Sequence, residues 1–167
     1  MTATVLALLQ SAASAIVNAP NRHARPLRVY VASSVRNERF EAVVAALRGA
    51  GHFVHDFRAE PTFFTWPELV GSDACRASEQ RIGLSHPRAQ RAFLADMTGL
   101  LEADACVLVL PAGSSSHVEL GFAVGAGKRT IVLLADGRPE LMYAMATSVC
   151  TTIEEVVRAL ATRGVAR

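Results

Sequence analysis

Charge of one sign is what this sequence most plainly lacks. Seventeen Lys and Arg stand against 15 Asp and Glu, a formal net charge of +2. That balance gives a polyanion or an anionic membrane surface little to hold. Lysine is nearly missing: Lys128 is the only one, and the remaining basic residues are arginines. Arg76, Arg81, Arg88 and Arg91 fall close together, but no aromatic residues interleave with them, so no nucleic-acid polymer is expected as a partner. Cysteine is scarce too. Cys75, Cys106 and Cys150 are odd in number and far apart, so they read as neither a disulfide framework nor a zinc knuckle, and a reducing cytoplasm suits them. His52 and His55 are three apart on a strand, point to opposite faces and make a poor metal pair. Neither a metal nor a cofactor is expected. Nor is there a run long and apolar enough to cross a bilayer. TATVLALLQSAASAIV comes nearest, but Gln10, Ser11 and Ser14 interrupt it, and no Lys or Arg precedes it as a secretory leader requires. Its Val5, Leu8, Leu9, Ala12, Ala13 and Ile16 follow helical spacing. Residues 1–26 are therefore expected to form an amphipathic helix and a linker.

What is present is enough for one full core. The chain has 167 residues, 51% of them hydrophobic and 19% charged, which suits one domain over 27–167. LRVYVAS (27–33) reads as a strand. Asn37 to Gly51 reads as a helix with Phe40, Val43, Val44 and Leu47 on one face. HFVHDF (52–57) is a second strand, and residues 58–85 form a long, irregular, partly aromatic loop. Residues 86–104 are a helix, and ACVLVLP (105–111) is the most hydrophobic strand, with Cys106 inside it. A loop of small residues and a helix ending at Gly127 follow, then RTIVLLA (129–135), a short helical loop, a fifth strand at TSVCT and a closing helix. This alternation predicts a three-layer, doubly wound, flavodoxin- or Rossmann-like α/β fold with a parallel five-stranded sheet in the order 2-1-3-4-5. Ligands of such sheets bind beyond the strand carboxyl ends, where the order reverses. Ser33, Ser34 and Arg36 emerge there after the first strand, and Pro111 to Glu119 after the third.

The segment PAGSSSHVELGFAVGAGK (111–128) therefore falls where a ligand belongs. Its closing GAGK is not a phosphate-binding P-loop, because position 122 is Phe and Arg129 follows the lysine. Gly127 stands where a helix C-cap glycine is expected. Gly113 and the serines Ser114, Ser115 and Ser116 expose backbone N–H groups beside a positive helix end, which favours an anionic or polyhydroxyl ligand. Ser116 to Glu119 has capping-box spacing, with Ser116 as N-cap and Glu119 reaching back to its amide. Spacing alone does not choose between Glu119 as cap and Glu119 as catalyst. At the helix start its carboxylate is expected to be favoured by the dipole. Asp96 lies at the edge of the apolar stripe of its helix, so a second acid can approach the same crevice. Two acids flanking one bond are the means of glycosidic cleavage. Trp66, the only tryptophan, can stack on a base or act as a lid. His117 either contacts substrate or faces solvent, and Arg36 and Arg58 are candidate phosphate ligands.

RVYVASS (28–34), FLADM (93–97), ADACVLVL (103–110) and residues 114–128 resemble the nucleoside 2-deoxyribosyltransferase family. The likeness covers roughly residues 27–150. Within that superfamily it is nearest to small bacterial and phage proteins that carry the equivalents of Asp56-Phe57-Arg58 and Thr65-Trp66-Pro67-Glu68. The resemblance implies cleavage or transfer at the N-glycosidic bond of a nucleoside or nucleotide through a glycosyl-enzyme. Glu119 would be the nucleophile, Tyr30 the hydrogen-bond donor that orients it, and Asp96 the group that assists proton transfer at the departing base. Leu141 and Met142 match a Leu-Met that helps build a site shared between subunits, so the resemblance implies a homodimer or larger. Gly113 replaces an Asp of the transferases, Glu140 replaces an Asn, and the loop is Ser-rich as in nucleotide N-hydrolases. A phosphorylated substrate gains weight from this. A nucleotide-binding sensor without chemistry and an NAD glycohydrolase are the alternatives.

Overall fold

The computed structural model describes residues 25–70, 81–135 and 138–162. The expected N-terminal helix and most of its linker, Cys75 and Arg76 lie outside the described residues. Strands β1 (Arg28–Ser33), β2 (Phe53–His55), β3 (Ala105–Val109), β4 (Arg129–Leu133) and β5 (Ser148–Cys150) form one parallel sheet in the order β2-β1-β3-β4-β5. The expected topology is the observed one. Helices α1 (Phe40–Gly49), α2 (Trp66–Val70), α3 (Pro87–Glu102), α4 (Ser114–Gly125) and α5 (Ile153–Ala161) connect and cover it. None of the helices among the described residues is long and apolar enough to cross a membrane.

The pleat sorts the strand residues into two cores. Val29, Val31, Val107, Val109, Ile131 and Leu133 face α1 and α5. Tyr30, Ala32, Cys106, Leu108 and Val132 face α3 and α4. Successive strand residues point to opposite faces, so β1 sends its phenol to the α3–α4 side while its valines anchor the other. β3 is buried along its whole length, as expected of a central parallel strand. Cys106 and Cys150 are buried free thiols, and burial pushes Cys106 up to about 12.

Two details depart from the expected elements. The region 58–85 is not wholly irregular: a 3-10 turn (Phe57–Ala59) and α2 interrupt it. Arg88 fastens this stretch to α3, donating to the Phe63 carbonyl at 3.0 Å and pairing with Glu68 at 2.9 Å. Lys128 has a structural task as well. Its ammonium donates to the carbonyls of Leu101 (2.8 Å) and Ala103 (2.6 Å), satisfying acceptors at the α3 C-terminus. Gly127 takes φ +69° past the end of α4, the left-handed turn expected there.

Asn37 does not cap α1, which begins at Phe40 after Arg39. It is buried beyond the ends of β1 and β3. Its side-chain amide reaches Ser33 Oγ at 2.9 Å, the Val109 carbonyl at 3.0 Å and the Pro111 carbonyl at 3.1 Å, and its Oδ1 accepts from the Arg39 amide at 2.9 Å. It thus clamps the two loops that frame the topological switch point. Asn37→Ala is expected to cost about 2 kcal/mol of stability through buried groups left unpaired, read as a lowered urea midpoint. A loss under about 0.5 kcal/mol, the scale of an ordinary surface substitution, would show that the clamp is dispensable.

Candidate functional site

A cleft of about 740 Å³ opens at the carboxyl ends of β1 and β3, between α3, α4 and the aromatic loop. Its acid is Glu119. α4 starts at Ser114 with Gly113 as N-cap, and no side chain caps it. Glu119 is therefore in the second turn, and Ser116 is a buried first-turn residue lining the cleft. The capping-box alternative is overturned: the helix has its N-cap at Gly113, three residues before the Ser116 that the box requires, so Glu119 is too deep in it to reach an N-cap amide.

The side chain turns instead to the sheet. The Tyr30 hydroxyl faces the Glu119 carboxylate and, as a donor, favours its ionised form. Burial, and then the negative charge of Asp96, push the Glu119 carboxyl up to about 7, against the downward pull of the Tyr30 donor and of His55. The expected stabilisation of the carboxylate by the helix dipole is also overturned. The dipole acts mainly within the first turn, and Glu119 sits past it in a desolvated place. Tyr30 is pushed well above the ordinary phenol range, first by burial and then by the charge of Glu119. It is a firm donor at any physiological pH.

The structure brings Tyr30, Ser33, Phe57, Trp66, Asp96, Ser114, Ser115, Ser116 and Glu119 to one cleft. Three helical first-turn serines accompany amide groups that have no intrahelical acceptor. Asp96 enters from α3, its side chain partly exposed. Trp66 is 44% exposed at the rim and meets Phe64 edge-on, centroids 5.4 Å apart. Glu68 accepts from the Thr65 amide at 3.0 Å and from its hydroxyl at 2.8 Å, which fixes the start of the helix carrying Trp66.

Other expected site residues fall elsewhere. Arg58 is turned inward: it donates to the carbonyls of Ser34 (3.0 Å) and Asn37 (2.9 Å) and lies 4.3 Å over the Phe40 ring. These contacts occupy the guanidinium as a brace, so it is not placed as a phosphate ligand. Asp56 accepts from the Arg58 amide at 3.1 Å and pairs with Arg48 at 3.7 Å, on the far side of the β2 edge. Ser34 receives the Arg36 amide at 3.2 Å, a local turn, and neither residue lines the cleft. Gly113 and His117 are bound to each other. A carbonyl only accepts, so His117 Nδ1 donates to Gly113 O at 2.8 Å, and its Nε2 is hydrogen-bonded with the Tyr143 hydroxyl at 2.9 Å. His117 thus neither faces the cleft nor stands free in solvent. Met142 (61% exposed) and Leu141 (87%) lie on a 3-10 turn outside their own cleft.

Sequence reasoning missed the apolar wall, including Val35, Phe63, Phe93, Met97 and Phe122. Phe93 and Met97 flank Asp96 at helical spacing, which was a usable signal. Among the described residues no group of three or more His, Cys, Asp or Glu is placed to hold a metal ion.

The fold and site define a doubly wound α/β domain whose switch-point cleft holds a buried acid, a phenol donor and a second carboxylate. Among solved structures it is similar to a 2-deoxyribosyltransferase from the psychrotolerant bacterium Bacillus psychrosaccharolyticus. The TM-score is 0.51 and the identity 17%, over 77% of this chain and 89% of that one. That likeness shows a shared fold. No protein-family model matches the chain, and no curated protein matches it.

Unfolded, Glu119 ionises near 4.5; folded, it ionises at about 7. Between those values the folded state keeps a proton that the unfolded state has lost. Stability therefore falls as pH rises through that window and stays lower above it. Glu119→Gln removes the penalty. The variant is expected to be more stable than the parent by on the order of 2 kcal/mol at about pH 8, with no gain at about pH 4.5. Denaturant melts at the two pH values check this; an equal difference at both would show that Glu119 is not held away from water.

Proposed function

We propose that the protein cleaves or transfers the N-glycosidic bond of a nucleoside or nucleotide, with Glu119 as nucleophile. The observation that carries this reading is the placement of Glu119: buried in a cleft, facing a phenol, and beside a second acid. In the first step the proton that the two acids share sits on Asp96 and Glu119 is ionised; a Glu119 oxygen bonds to C1′ as the bond from C1′ to the base breaks, and Asp96 gives the departing base that proton. In the second, water or another base attacks C1′, the ester bond breaks, and the released proton returns to Asp96. Tyr30 holds the attacking carboxylate in line. A nucleophile titrating at about 7 is partly ionised at neutral pH and carries little hydration to shed.

The first-turn amides and serines of α4 suit a 5′-phosphate, and the aromatic wall with Trp66 suits a base. Leu141 and Met142 are exposed beyond their own cleft, which supports the reading that they complete the cleft of a second copy. The similar 2-deoxyribosyltransferase is described as a biocatalyst for nucleoside synthesis, and its likeness in fold agrees with this reading.

Incubation with nucleosides, deoxynucleotides and NAD, followed by chromatography for free base, tests the proposal. Base release from a nucleoside or nucleotide is expected, and Glu119→Gln should lower it by at least about a hundredfold while remaining folded. Release only on addition of a second base identifies a transferase; nicotinamide release from NAD alone identifies a glycohydrolase. Tight nucleotide binding with no release from any of them overturns the proposal in favour of a sensor.

A further inference from the structure

Behind the Tyr30 phenol lies a histidine to which the proposed reaction gives no task. His55 ends β2 and is the register partner of Tyr30, so both rings leave the sheet on the same side. They stack with centroids 5.1 Å apart and planes 11° apart. The other face of the imidazole meets α3 at Gly99, where an added Cβ would fall 2.6 Å from Nδ1. Glycine is a poor choice inside a helix, and here it makes the space that the ring occupies. Within this slot Nε2 is buried without a hydrogen-bond partner. It points to Asp96, 3.8 Å from Oδ1, while Nδ1 lies 3.8 Å from Glu60 Oε1.

We propose that His55 is a positioning residue for the acid pair, orienting Asp96 and offsetting the negative charge that Asp96 places on Glu119. The assignment deepens the glycosidic reading and rests on it for its catalytic meaning. Two neighbouring carboxylates resist joint ionisation, and a ring N–H donor within reach relieves them. A shift of about 1 Å would turn the Asp96 contact into a charge-assisted hydrogen bond. The charged groups around the imidazole are Asp96 from α3, Glu60 after the 3-10 turn and, past Tyr30, Glu119 from α4. In the cavity behind it, Arg48 pairs with Asp56 at 3.7 Å and Arg28 pairs with Glu102. Those arginines already have acidic partners on that side, whereas the unpartnered nitrogen of His55 faces Asp96.

Carboxyl ¹³C NMR titration of the substrate-free protein tests this without needing turnover. In His55→Gln the Glu119 midpoint is expected to rise by about one pH unit, and in Gly99→Ala, where the new methyl displaces the ring, it should move the same way. With a cleaved substrate, the acid limb of the kcat profile should rise in parallel while KM at the optimum changes little. An unmoved Glu119 midpoint in the two folded variants overturns the assignment, and Gly99→Ala decides alone if His55→Gln does not fold. A moved midpoint supports it even where no base is released, an outcome that would count against the reaction and not against the coupling.

Discussion

The apposition of the Tyr30 phenol and the Glu119 carboxylate links the second residue-pair of the central sheet to the helix that follows β3, and it decides what the cleft can do. It needs three independent placements. β1 must present its phenol to the α3–α4 face, which the pleat enforces through Val29 and Val31 on the opposite side. β3 must lie beside β1, with Tyr30 opposite Cys106. α4 must then rise from the carboxyl end of β3 and pass back over that phenol. Right-handed crossover and the 2-1-3-4-5 order supply all three.

The electrostatic consequence follows from packing. A carboxyl buried near Cys106 loses hydration, and Asp96 adds a like charge, so the ionised form is held at a disadvantage. The Tyr30 donor recovers part of it. The same buried setting raises the phenol and the Cys106 thiol. One apolar layer therefore controls three ionisable groups, and a conservative change in that layer would be felt at the carboxyl.

Much of this was legible in the residues because it depends on local pattern. Strand–helix alternation gave the sheet, its order and the switch point, and the approach of Asp96 to the cleft was visible as a position on a helical stripe. Tyr30 and its tie to Glu119 came from the family resemblance. What could not be read depended on a helix boundary or on the direction of a long side chain. Gly113 caps α4 three residues earlier than the Ser116 signal implies, and that shift alone converts Glu119 from cap to buried acid. Arg58 and Asp56 form a conspicuous Asp-Phe-Arg string, yet the guanidinium folds inward to carbonyls and the carboxylate caps a turn. Asn37 resembled a helix start and proved to be a clamp. Nor did any local signal tie Gly99, in the interior of α3, to the imidazole of His55 that lies against it.

Within the proposed reaction, α4 carries two opposed electrostatic demands and separates them along its axis. Its first turn, with the three serines, offers donors to an anion. Its second turn holds an acid that must not be over-stabilised if it is to attack carbon. Five residues of helix set these apart by about 7.5 Å, the scale of a sugar ring with a substituent at each end. Were Glu119 a first-turn residue, it would compete with a bound phosphate for the same amides and lose nucleophilicity to them. A helix that starts at Gly113, not at Ser116, is thus what allows one element to bind an anionic group and to present a reactive carboxylate.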